Sequence, residues 1–162
     1  PDAEMLARSL VEVGRDAGVK VSALLTPMNE PIGTHVGNAL EVIESVACLR
    51  GTGPADSWSL VVALASELLV STGIAADLMG AEARIEDAVR SGRALACFRS
   101  MVVAQGGDGH YIDDPSRFPP ARIEATVRAP RDGYIHALDA ERIGRATDGE
   151  RRGTRPVPPH DP

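Results

Sequence analysis

The stretch from 19 to 25 constrains this chain most. Val19, Val21, Ala23 and Leu25 alternate there with Lys20, Ser22 and Leu24, so the end of the run is apolar on both sides. Strands buried on both faces, as in parallel sheets covered by helices, have this character. Residues 2–16 precede it with Ala3, Leu6, Leu10 and Val13 at helical spacing, Asp2 as a candidate N-cap and Gly18 as a stop. Helix followed by buried strand predicts the closing part of an α/β unit. Apolar residues make up 43 % of the 162, enough for a core, but aromatics only 3 %, so Ala, Val, Leu and Ile must build it.

After a loop from 26 to 37, helical periodicity resumes at Ala39, Ile43, Val46 and Ala47, with Asn38 as a candidate N-cap. Three more helices are predicted. One spans 56–72, capped by Asp56 or Ser57, with Leu60, Leu64 and Leu68 on one stripe. The next spans about 76–91 with Ala81, Ile85 and Val89 inward. The last spans about 93–105 with Leu95, Phe98 and Met101 or Val102 inward. From Asp108 the composition turns polar and proline-rich, as in a linker. Strands are predicted at 123–128 and 134–138, joined by turn chemistry at 130–133. The expected organisation is therefore an α/β part over 1–107, a linker over 108–121 and the beginning of a β-rich α+β domain over 122–146. The proline-rich, charged residues 147–162, with Val157 as their single aliphatic side chain, are expected to lack regular structure.

Several function classes are excluded. The formal net charge of −6 and the scarcity of aromatics argue against nucleic acid and anionic lipid as partners. No apolar run reaches the roughly 18 residues of a membrane span, and no signal peptide opens the chain. Cys48 and Cys97 lie among apolar helical residues and are read as reduced core thiols of a cytoplasmic protein, a disulfide being the less favoured alternative. His35, His110, His136 and His160 have no metal-ligand spacing, and the acidic residues around His110 read as solvated charge. No residue is assigned to catalysis or to substrate binding. The loop at 26–37, between strand and helix, stands where α/β sheets place ligands. From the residues alone, a turn with a helix N-cap is the favoured reading of it. Glu41 and Glu44, three apart on the next helix, then form a solvated acidic face, the alternative being carboxylate ligands to a hard cation.

The run VSALLTPMNEPIGTHVGNALEV at 21–42 closely resembles the thymidine and pyrimidine nucleoside phosphorylase pattern A-L-I-T-D-M-x-Q-P-L-G-x-x-V-G-N-A-L-E-V. The resemblance continues through CLRGTGPAD at 48–56, AQGGD at 104–108 and APRDGYI at 129–135, in family order and spacing, and covers residues 2 to about 146. Pro27 and Glu30 depart from the pattern's aspartate and glutamine. The resemblance implies phosphorolysis of a pyrimidine nucleoside, thymidine first, to free base and a pentose 1-phosphate, with inorganic phosphate as co-substrate and a homodimer as the assembly. It implies a large α/β domain, of which this chain is the C-terminal part, followed by an α+β domain. Its phosphate loop and base-binding residues have no counterpart from Pro1 onward, so the chain is read as an internal to C-terminal fragment, inactive alone. It further implies a potassium-like cation to which the backbone carbonyls of Ile32 and His35 and the carboxylate of Glu44 contribute ligands, the remaining ligands lying upstream. The alternatives are a non-catalytic remnant that binds a partner, an unstable product without function, and the related nucleotide (AMP-type) phosphorylase branch.

Overall fold

The structure, a computed structural model, describes residues 2–27, 29–121 and 124–151. The elements in order are α1 (Asp2–Asp16), α2 (Asn38–Leu49), α3 (Ala55–Ser71), α4 (Leu78–Arg90), α5 (Arg93–Ala104), a single turn α6 (His110–Asp113), a 3₁₀ turn (Pro115–Arg117) and α7 (Ala140–Arg151). The five helices expected up to residue 105 are present, each within two residues of its predicted bounds. Their ends follow local chemistry. Asp77 caps α4 by accepting the Gly80 N–H at 2.7 Å, and Gly92 separates α4 from α5 in the left-handed region at φ 77°.

The described residues contain no β-strand. The expected α/β architecture and β-rich C-terminal part are therefore not seen as sheet. Residues 20–27 make no backbone hydrogen bond among the described residues. A strand exists only as part of a ladder, and no neighbouring segment supplies one here. Residues 124–138 likewise form no strand, leaving Val127 and Tyr134 fully exposed. Ile123 of the expected strand lies outside the described residues.

Helices α2 to α5 form the packed part, with α3 against α4, α4 against α5 and α2 against α5. Val46 on α2, Ser66 on α3 and Ala81 on α4 are at most 2 % exposed. Small residues at two of these positions let the backbones approach closely. The inward side of α4 is as predicted, Ala81, Ile85 and Val89. On α3 the predicted stripe is corrected: Leu64 and Leu68 are exposed, and Val62, Ala65, Ser66 and Leu69 turn inward. α1 is corrected in the same way. It lays Ala7, Val11 and Gly14 against residues 21–25, while Leu6, Leu10 and Val13 face outward. Both helices carry apolar residues on two sides, and only one side of each finds a partner among the described residues. Cys97 is exposed rather than in the core, because α5 turns Ala94, Leu95 and Phe98 inward; neither cysteine is in a disulfide.

The expected linker is tied down. Arg50, just beyond α2, donates to the carbonyls of Ile112 and Asp113 at 3.1 and 2.8 Å. Arg99 grips the Asp113 carboxylate with two N–H groups at 2.8 and 3.0 Å, and Ile112 is 3 % exposed. The sequence shows a polar, proline-rich run and hides the one buried isoleucine and the two distant arginines that anchor it. The expected structureless tail begins instead inside α7, whose first turn Asp139 caps through the Arg142 N–H at 2.9 Å. Good helix formers such as Ala, Glu and Arg make a helix there without an apolar stripe. Residues 152–162 lie outside the described residues.

The Ser66 hydroxyl is buried and has no hydrogen-bond partner among the described residues. An unsatisfied buried hydroxyl costs about 1–3 kcal/mol. Ser66→Ala is therefore expected to raise unfolding stability by about 1 kcal/mol, measured from urea midpoints, whereas Ser66→Leu overpacks the close helix contact and lowers it. Clear destabilisation by Ser66→Ala would mean that the hydroxyl holds α3 through a bond.

Candidate functional site

The loop between residue 26 and α2 is held by carboxylates from two helices. Glu44 sits in the middle of α2, its side chain 11 % exposed. Its Oε2 accepts the Thr34 N–H at 2.8 Å, the Thr34 hydroxyl at 2.8 Å and the His35 Nδ1 at 2.8 Å. Its Oε1 has one long contact, 3.4 Å, from the Ser57 hydroxyl. Asp56, in the first turn of α3, accepts the Gly33 N–H at 2.9 Å. Glu41 is engaged at the start of its own helix, its Oε1 accepting the Gly37 N–H at 2.8 Å. So Glu41 and Glu44, alike in the sequence, divide into a helix-terminus carboxylate and a loop-holding one.

Gly33 makes this possible. Its φ of +75° lies in the left-handed region, and a Cβ there would overlap Glu44 Oε1 and crowd Ser57 Oγ. Only glycine brings the backbone this close to the carboxylate. A cavity of about 370 Å³ opens at this place, lined among others by Ile32, His35, Glu41, Glu44, Ser57 and Ala140. The Asn29 carbonyl accepts the N–H of Ala140 at 3.3 Å, which brings the start of α7 to the same loop.

Burial of the Glu44 carboxyl pushes its pKa up. The hydrogen bond from His35, those from the Thr34 backbone and hydroxyl, and the His35 charge outweigh that and bring it down to about 2. Asp56 is also held below the usual carboxylate range, first by the Gly33 N–H. Both groups are therefore anionic at neutral pH.

Ile32, His35 and Glu44, the residues singled out from the sequence, come together here. The His35 ring adds a bond to Glu44 that a backbone-only role for this residue does not foresee. The carbonyls of Ile32 and His35 accept no backbone hydrogen bond among the described residues. Together with the nearly free Glu44 Oε1 and the Ser57 hydroxyl they are an all-oxygen donor set, the kind a hard cation takes. Thr34, Asp56 and Ser57 are parts of this site that the sequence pattern does not single out. Asp56 and Ser57 read there as helix caps, while the N-cap position of α3 belongs to Pro54. Among the described residues no group of three or more His, Cys, Asp or Glu side chains forms a metal site. His110 pairs with Asp108 at 2.7 Å, and its other acidic neighbours are taken by Arg99 and Ser116. No helix among the described residues is long and apolar enough to cross a membrane.

The sign of the Glu44 contribution follows from its lowered pKa. The stability it adds is fully present above its ordinary value of 4.5 and is lost as pH falls through about 2. Comparing unfolding of the parent with Glu44→Gln should show a deficit at neutral pH that closes as the pH falls through this window. A deficit of equal size at every pH would mean that the charge plays no part.

A family model described as the glycosyl transferase family, a/b domain, matches residues 1–95. The chain is 38 % identical over 146 residues to a pyrimidine-nucleoside phosphorylase of Staphylococcus epidermidis, covering 90 % of this chain and 34 % of that protein. It is 37 % identical over 145 residues to the pyrimidine-nucleoside phosphorylase of Geobacillus stearothermophilus, with the same shares, and 38 % identical over 146 residues to that of Staphylococcus aureus. It thus spans about a third of the length of these curated relatives. The match over more than half of the chain, on residues that include the carboxylate-held loop and both helices that hold it, shows that this chain belongs to the glycosyl transferase family through its a/b domain.

Proposed function

We propose that this chain is the cation-loop portion of a pentosyltransferase that cleaves a pyrimidine nucleoside, thymidine first, with inorganic phosphate. The observation that carries this reading is the loop at 31–37, pinned by Glu44 and Asp56 in the segment most like the phosphorylase pattern. A potassium-like cation would be held by the carbonyls of Ile32 and His35 and the Glu44 carboxylate. Such an ion supplies fixed positive charge that ties the loop to its surroundings. The chain's own part is to hold these oxygens in place, since loss of position at a reacting site costs rate steeply.

The outward apolar residues of α1 and the backbone at 20–27, unpaired among the described residues, support the rest of the reading. In it, residues 1–107 belong to a larger α/β domain whose sheet takes up residues 19–25, and 122–146 begin an α+β domain. The residues that grip phosphate and base stand on a part of the whole protein that precedes these. A homodimer and a cytoplasmic location belong to the same reading.

Two results are expected. The chain by itself releases no free base from thymidine or uridine at saturating phosphate. A chimera that joins it to the preceding part of the Staphylococcus epidermidis relative does so, with a rate stimulated by potassium. In that chimera Glu44→Gln should abolish most of the potassium response and Glu41→Gln should leave it. Turnover by the chain alone, or a potassium response that survives Glu44→Gln, contradicts the proposal.

A further inference from the structure

Asp56 lies outside the set of oxygens assigned to the cation, yet it makes the one hydrogen bond from α3 to a backbone amide of the loop among the described residues. The Asp56 Oδ2 accepts the Gly33 N–H at 2.9 Å. That N–H shares a peptide plane with the Ile32 carbonyl. The described residues contain no cis peptide bond, and in a trans peptide N–H and C=O point in opposite directions. Fixing the Gly33 N–H on Asp56 therefore turns the Ile32 carbonyl away from the Asp56 carboxylate. The next plane is fixed likewise, from the other helix, because Glu44 takes the Thr34 N–H at 2.8 Å. Two consecutive planes are thus pinned by carboxylates on two helices.

We propose that Asp56 is a positioning residue, which turns the Ile32–Gly33 peptide so that the Ile32 carbonyl is presented to a monovalent cation. This rests on the cation reading above. Asp56 itself touches no ligand in it. Three features support the assignment. Gly33 is held in a left-handed conformation that leaves the plane no second support from a side chain. The Ile32 carbonyl accepts no backbone hydrogen bond among the described residues and so is free to coordinate. Asp56 stands in the first turn of α3, where the helix dipole favours its charge and α3 gives it a rigid base.

The test uses the chimera described above, isotopically labelled, with potassium chloride titrated against choline chloride at constant ionic strength; the parent is the chimera without a further substitution. The readouts are amide exchange at Gly33 and Thr34 and the carbonyl carbon resonance of Ile32. In the parent, potassium should shift the Ile32 resonance. In Asp56→Ala, Gly33 exchange should accelerate about tenfold, the scale of one lost hydrogen bond, and the Ile32 response should be lost, while Thr34 exchange is unchanged. Asp56→Asn, whose amide oxygen still accepts, should restore most of both. The unchanged Thr34 amide and the Asn rescue separate positioning from general loss of structure. A parent without a potassium response overturns the cation reading and this proposal with it. A parent that responds, with Asp56→Ala responding equally and Gly33 exchange unaltered, overturns the role of Asp56 alone.

Discussion

The Glu44 carboxylate is the interaction on which the site depends. It takes three donors on one oxygen, all from two consecutive loop residues, and so converts a proline- and glycine-rich connection into a fixed shape. A carboxylate that is mostly withdrawn from water is costly unless hydrogen-bonded in this way. The donors therefore have two effects: they keep Glu44 ionised, and they leave its other oxygen nearly unused beside free backbone carbonyls. Gly33 is the condition for both, since any side chain there would stand where the carboxylate stands.

The helices supply the frame. Glu44 is carried by α2 and Asp56 by α3, and the short turn between them is tight: a Cβ on Gly53 would overlap the Cys48 thiol. The close approach in this turn sets the two carboxylates relative to each other. Behind them, α4 and α5 pack through small and aliphatic residues. Arg50 and Arg99 fasten α6 to the ends of this bundle through Asp113 and neighbouring carbonyls. Away from the bundle, α1 and residues 19–27 pack mainly on each other and leave apolar residues uncovered. In an α/β domain such residues face a sheet, which agrees with the family to which the chain belongs.

What could be read from the sequence follows the range of the physics. Helix positions are local: spacing and glycine stops are enough to place them, although the expected caps Asn38 and Asp56 or Ser57 stand inside their helices, behind Gly37 and Pro54. Which face turns inward depends on neighbours. Leu64 and Leu68 therefore have the spacing of a core stripe but are exposed, whereas Ser66 is buried. The strand at 19–25 needs partners from elsewhere, so its pattern alone could not produce a ladder. At the site, the resemblance singled out Ile32, His35 and Glu44, and the fold brings them together. Thr34, Asp56 and Ser57 were not legible, because hydrogen bonds spanning 10 to 23 residues leave no mark in local spacing. A helix-start aspartate reads as a cap whether or not a distant glycine amide occupies it.

The most direct measurement is the position of thallium(I), a heavy stand-in for potassium, in crystals of the chimera that carries this chain. Anomalous scattering should place an ion in contact with Glu44 Oε1 and the carbonyl oxygens of Ile32 and His35, with Oε2 still bonded to Thr34 and His35. Thallium bound elsewhere in the same crystals, with none at this loop, would contradict the account and leave Glu44 a structural clamp.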